Sequence, residues 1–203
     1  MGNLLTGNLS AIDVLECTES VGLAALERST KMYRIRRLNI GEAELYKSVR
    51  LASLLDSPEA FSSRYEDALV RSDTSWREQT DSSAHGPDRA TFVVLTDGKP
   101  AGLAALYRDD HEAGVGELIQ MWISPEFRGG SAAKALLDKL FAWAAENEFD
   151  RVKAEVEVGN LRALRFYQRY GFSDSADRAA HSQSSLMLDK PVEQADSGNQ
   201  IQH

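Results

Sequence analysis

Between residues 32 and 191 the spacing of apolar positions switches repeatedly between two residues and about 3.6. Tyr33, Ile35 and Arg37 alternate with Arg34, Arg36 and Leu38, the period of a strand. Ala43, Leu45, Tyr46, Val49, Ala52 and Leu55 recur at helical spacing over residues 41–55, and Pro58 breaks the run. Residues 65–80 read as a second, more polar helix around Trp76. Residues 90–95 form a buried strand, Asp97-Gly98 is a hairpin turn, and the return strand runs over 100–107. Residues 109–112 form a charged, solvated loop. A mostly apolar strand over 115–123 stops at Pro125, which offers no N–H to a ladder. Ala133, Leu136, Leu137, Leu140 and Ala144 then mark the buried stripe of a helix from Ser131 to near Asn147. Val152, Ala154, Val156 and Val158 alternate with Lys153, Glu155 and Glu157 in another strand. Residues 160–170 predict a short helix with Gly171 as its stop. Residues 185–189 close the sheet, and their partner strand is expected to be antiparallel.

The resulting order, β-α-α-β-β-β-α-β-α-β, predicts an α+β fold with a mixed sheet flanked by helices. One domain is expected over residues 32–191. Residues 1–31 lack clear periodicity and read as a flexible N-terminal extension. Residues 192–203 are polar and read as a disordered tail.

Composition narrows the function. The chain has 203 residues, 42% hydrophobic and 27% charged, within the range of a globular protein. The net charge of −8 argues against nucleic-acid binding, which depends on neutralising phosphates, and suits a cationic amine substrate better. The single cysteine, Cys17, excludes an internal disulfide and lies far from the motifs described next. The four histidines, His85, His111, His181 and His203, show no metal-ligand spacing, so no metal is expected. There is no apolar run of membrane-spanning length and no signal-peptide pattern, so no membrane association is expected and the cytoplasm is the expected location.

The stretch from Leu118 to Leu137 carries the chemistry. A strand leads through Arg128-Gly129-Gly130-Ser131 into a helix, an arrangement that points backbone N–H groups at a phosphate. Gly129 and Gly130 leave room for the ligand against the backbone, and Arg128 adds a permanent positive charge.

Arg128-Gly129-Gly130-Ser131-Ala132-Ala133 resembles the Arg-Gly-x-Gly-x-Gly/Ala pyrophosphate loop of the GNAT superfamily of N-acetyltransferases. Met121-Trp122-Ile123-Ser124-Pro125-Glu126 is similar to the end of that family's fourth strand. Residues 160–172 fit the family's Asn-x-x-Ala-x-x-x-Tyr-x-x-x-Gly-Phe block, with Asn160, Ala163, Tyr167, Gly171 and Phe172 at the matching positions. Ser131 stands where the family usually has Gly, with its amide still available. The resemblance implies a GNAT-like fold: a central, mostly antiparallel twisted sheet whose fourth and fifth strands splay apart around a β-α-β core that binds acetyl-CoA. The first two helices and their connection would cover the acceptor side.

Acetyl transfer from a thioester to an amine needs the donor held, its carbonyl polarised, the amine deprotonated and the leaving thiolate protonated. The resemblance implies that Arg128, Gly129, Gly130, Ser131, Ala132 and Ala133 hold the pyrophosphate. It also implies that backbone groups of Met121, Trp122 and Ile123 bind the pantetheine and the carbonyl, with Asn160 and Ala163 alongside. Asn160 either binds the pantetheine arm or simply caps its helix. Tyr167 is the candidate proton donor, since a phenol titrating near about 10 stays protonated where a thiol near about 8.5 ionises; the other reading is that it only packs beside Leu164. Glu117 is the candidate base, acting through water, or else an exposed strand residue. Two functions stay open: an acetyl-CoA-dependent N-acetyltransferase acting on an amine of a small molecule, peptide or protein, and a non-catalytic acyl-CoA-binding regulatory module. The chain is expected to be a monomer or homodimer.

Overall fold

A computed structural model describes residues 33–175 and 184–194. The chain forms β1 (Arg34–Arg37), α1 (Ala43–Asp56), α2 (Tyr65–Leu69), α3 (Asp73–Ala84), β2 (Arg89–Thr96), β3 (Lys99–Arg108) and β4 (Val115–Ile123). Next come α4 (Ala132–Glu146), β5 (Arg151–Glu157), α5 (Leu161–Tyr170), β6 (Ser173–Asp174) and β7 (Ser185–Pro191). Short 3-10 turns at Pro58–Ala60 and Pro125–Phe127 follow α1 and β4. The seven strands form one sheet in the order β1-β2-β3-β4-β5-β7-β6. Every neighbouring pair is antiparallel except β4 with β5, where α4 makes the crossover that a parallel connection requires. The expected α+β sheet, mostly antiparallel around a β-α-β core, is therefore the fold of this chain.

The strand alternation sorts side chains into two layers. Val93, Leu103 and Trp122 face α1 and α3, where they bury Leu38, Tyr46, Val49 and Trp76. Ala104, Leu106, Leu118, Val152 and Val156 face the other way and pack on Leu136, Leu137 and Leu140 of α4 and on Leu164 and Tyr167 of α5. Of the apolar stripe read for α4, Leu136, Leu137, Leu140 and Ala144 are buried, while Ala133 is only partly so. Gly171, with φ of 102°, ends α5 in the left-handed region.

Three expectations need correction. The single helix over 65–80 is two helices, because Ser72 takes an extended backbone and its hydroxyl caps α3 by accepting from Ser75 N. The strand β6 was not anticipated; two residues carry no readable period. Residues 192–194, expected within a disordered tail, are held by the fold: Val192 is 7% exposed, its N–H donates to Asp150 O, and Gln194 Nε2 donates to Phe149 O. Residues 1–32 and 195–203 lie outside the described residues, and with them the proposed extension and the rest of the tail.

Candidate active site

The site originates in a break in the sheet. β4 and β5 pair at Val115↔Arg151, Gly116↔Val152 and Glu117↔Lys153, and then part. Beyond that point β4 stays on β3, while β5 follows β7 through Leu186↔Val156 and Ser185↔Glu157. On β4, Leu103↔Trp122 and Ala105↔Ile119 leave Gln120 and Met121 opposite the single residue Ala104. This bulge puts Gln120 at φ of 59°, in the left-handed region. A bulge bends its strand and leaves a residue out of the ladder, so backbone groups become available to a ligand.

A cleft of about 900 Å³ opens where the strands part. The bulge and strand end contribute Met121, Trp122 and Ile123; the loop contributes Arg128, Gly129 and Gly130; α4 contributes Ala133; α5 contributes Asn160, Ala163 and Tyr167. These ten residues, spread over more than forty positions of sequence, are thus brought to one cavity. Ser57, Ala60 and Phe61, from the turn after α1, form its opposite wall.

The loop is built to accept an anion. Gly129 has φ of 78°, which explains the glycine there, and a Cβ added at Gly130 would meet nothing nearer than Phe127 O at 3.6 Å. Ser131 has φ of −83°, so a non-glycine residue is tolerated at that position. Its side chain does not cap α4; instead its hydroxyl shares a 2.7 Å hydrogen bond with the Tyr33 hydroxyl. The first-turn amides of α4 therefore have neither an intrahelical acceptor nor a side-chain cap. A pyrophosphate fits such a cradle. Ser131 and Ala132 do not line the cleft themselves, and Ala132 is buried in the core.

Arg128 is held rather than mobile. Its Nε donates to Ile123 O at 2.8 Å, and its Nη2 pairs with Asp56 Oδ2. The same carboxylate oxygen accepts from Trp122 Nε1 at 2.8 Å and from Ser57 Oγ at 2.7 Å. Burial pushes the Asp56 carboxyl up, but the hydrogen bonds from Trp122, Ser57 and Arg128 outweigh it and leave the group below its ordinary value. Asp56 was not visible as a site residue in the sequence, because its partners lie 66 and 72 positions away.

Tyr167 is 6% exposed and lines the cleft. Burial pushes its phenol well above the ordinary value, so it stays protonated throughout the neutral range. Its ring meets Phe166 and Phe172 at 5.5 and 5.2 Å. Asn160 caps α5, with Oδ1 accepting from Ala163 N at 3.1 Å, and it also lines the cleft. Tyr46, pushed up to about 12 by burial, donates to Gln120 Oε1 at 2.9 Å and so ties α1 to the bulge.

Glu117 is not brought to this cleft. It sits opposite Tyr107 in the register, at the last point where β4 and β5 still pair. Its carboxylate lies 3.3 Å from Lys153 Nζ, and Lys153 also pairs with Asp109. The Tyr107 hydroxyl accepts from Gln79 Nε2 of α3, and directly opposed residues share a face, so Glu117 lies on the side of the sheet covered by α1 and α3. No helix among the described residues is long and apolar enough to cross a membrane.

Comparison with known proteins agrees with this geometry. The signature of the acetyltransferase (GNAT) family matches residues 51–172. An uncharacterised N-acetyltransferase of Mycobacterium tuberculosis is 35% identical over 107 residues, covering 50% of this chain and 67% of that protein. A GNAT-family acetyltransferase from Streptococcus pneumoniae shares the fold with a TM-score of 0.67 at 19% identity, over 80% of this chain and all of that one, 100%. The PaiA N-acetyltransferase of Thermoplasma acidophilum, solved with coenzyme A, has a TM-score of 0.64 at 20% identity, over 79% of this chain and 99% of its own. Fold and site together define an acyltransferase. The chain belongs to the acetyltransferase (GNAT) family.

Proposed function

We propose that the protein is an acetyl-CoA-dependent N-acetyltransferase acting on a primary amine of a small molecule, peptide or protein. The observation that carries this reading is that the parted end of β4, the Arg128–Gly130 loop and Tyr167 line a single cleft. Acetyl-CoA, the co-substrate, supplies the acetyl group and the thiolate leaving group. The α4 amides with Gly129, Gly130 and Arg128 hold the pyrophosphate. The bulged backbone at Gln120 and Met121 holds the pantetheine arm and offers an N–H where negative charge develops on the carbonyl oxygen. Asn160 and Ala163 bound the same arm on the α5 side. Tyr167 gives its proton to the departing sulfur, burial keeping the phenol protonated until that step. Glu117 lies outside this cleft and is paired with Lys153, so the amine proton leaves to water.

An amine-panel assay of thiol release tests the reading. Release that depends on an added amine, with the N-acetylated product seen by mass spectrometry, is the expected result. Acetyl-CoA bound but never consumed against any amine would remove it.

A further inference from the structure

The acceptor side of β4 holds an arginine that the mechanism above does not use. Arg50 is 5% exposed. Among the described residues its hydrogen bonding amounts to Nη1 donating to Ser53 Oγ at 3.3 Å, while its guanidinium stacks 4.5 Å from the Phe61 ring. No carboxylate pairs with it among the described residues, and burial lowers its proton affinity. Arginines are almost never buried to this extent without an anionic partner. Other cations of this acidic chain find one: Arg36 with Glu42, Lys47 with Asp73, Arg128 with Asp56, Arg151 with Asp189.

A second cation without a carboxylate partner among the described residues lies nearby. Arg71 donates to the Ser75 hydroxyl, the Ser75 carbonyl and Gln79 Oε1, all neutral acceptors, and lies 4.5 Å over the Trp76 ring. Both positive charges act on the Tyr46 phenol, and Arg50 also interacts with Tyr107. An independent sign of unfinished bonding sits in the same cluster. Trp76 Nε1 is buried with no hydrogen-bond partner among the described residues, and its ring meets Tyr46 edge-on at 5.4 Å. Unpaired buried donors are rare enough to require an explanation.

The position matters as much as the charge. Arg50 lies one helical turn from Tyr46, whose hydroxyl holds the β4 bulge through Gln120. It also stacks on Phe61, which lines the cleft. Arg50 therefore touches a residue of the cleft wall, Phe61, and sits one turn from the tyrosine that holds the β4 bulge. Glu117 lies on the same side of the sheet, next to Tyr107. An acceptor that bears an oxyanion matches the positive polarity of Arg50 and Arg71.

We propose that Arg50 and Arg71, framed by the hydroxyls of Tyr46 and Tyr107, form a subsite for an oxyanion on the acceptor, so that the accepted amine belongs to a molecule that also bears a carboxylate or phosphate. This names the acceptor class for the N-acetyltransferase reading and rests on it.

The test uses the full chain and matched primary amines of equal length ending in an amide, a carboxylate or a phosphate. Two quantities are read: kcat/KM by thiol release, and calorimetric binding of the N-acetylated forms to the CoA-loaded protein. Wild type is expected to prefer one charged end over the amide by roughly 10–100-fold, the scale of a charge-assisted hydrogen bond. That preference should collapse in Arg50→Met and in Arg71→Gln and return in part in Arg50→Lys. The carboxylate and phosphate arms tell the two oxyanions apart. Arg71 is half-buried, so its variant keeps the test open should Arg50→Met not fold, and CoA binding reports folding in each. A wild type without preference for a charged end, or a preference unchanged in both variants, overturns the subsite. Calorimetry needs no turnover: charged products that bind through Arg50 while no amine is acetylated keep the subsite and remove the acetyltransferase reading.

Discussion

Trp122 Nε1 donates to Asp56 Oδ2 at 2.8 Å, which joins the end of β4 to the end of α1. Arg128 and Ser57 close on the same carboxylate, so one acid links the turn after α1, the end of β4 and the loop before α4. Asp56→Ala is predicted to cost about 1–3 kcal/mol, the scale of leaving half-buried donors unpaired. It should also weaken acetyl-CoA binding, because Arg128 loses its anchor. Urea denaturation paired with donor titration checks both, and a variant with wild-type stability and affinity would show that the three groups hold position without Asp56.

In the donor loop, Gly130→Glu should abolish acetyl-CoA binding while the fold survives. The added side chain has room, with Phe127 O the nearest atom at 3.6 Å, but it sets a carboxylate against the pyrophosphate. Arg128→Ala should weaken binding by roughly 1–3 kcal/mol. Calorimetric titration is the measurement, and unchanged affinity in both variants would move the pyrophosphate elsewhere.

Tyr167→Phe removes only a hydroxyl and keeps the ring against Phe166 and Phe172. Single-turnover transfer is predicted to slow by about 10²–10⁴-fold, with donor affinity little changed. Because burial raises this phenol, the wild-type rate should show no loss from Tyr167 ionisation on approach to the ordinary phenol value. Equal chemical rates for the two proteins would leave catalysis to positioning and backbone polarisation.

Gly102 faces Ile123 across the ladder, and a Cβ there would come within 2.7 Å of Ile123 Cδ1 and 2.8 Å of Trp122 O. The backbone oxygen cannot swing away as a side-chain tip can. Gly102→Ala is predicted to destabilise by about 1–3 kcal/mol and to push the end of β4 toward the cleft. A crystal structure of the variant, with its melting temperature, would detect both changes; an undisturbed β4 would speak against the close fit.

The Asp109 carboxyl is held at about 2, chiefly by its hydrogen bond to Lys153, with the His111 N–H also donating to it. A carboxyl depressed in the folded state stabilises the protein above its ordinary value of 3.8 and loses that contribution as pH falls toward 2. The difference in stability between wild type and Asp109→Asn should therefore shrink over that window. Denaturation series at several acidic pH values measure it, and a pH-independent difference would place the effect outside this ionisation.

Local periodicity and punctuation determined a large part of this protein. The Val115–Ile123 strand, the stripe of α4 and the Gly171 stop are each marked by residue types spaced within a few positions, so each was readable from spacing alone. The small-residue turn before α4 was readable for the same reason: Gly129, Gly130 and the helix start are contiguous. The polar break at Ser72 depended on a cap that competes with a plausible longer helix, and β6 is too short to show a period. What only the tertiary structure decided is which distant groups meet. Asp56 reaches Trp122, Tyr46 reaches Gln120, and Arg50 is buried without an acid because α1 folds over the bulged face of β4. Burial and charge pairing depend on the packing of whole elements, and neither leaves a periodic trace in the sequence around those residues.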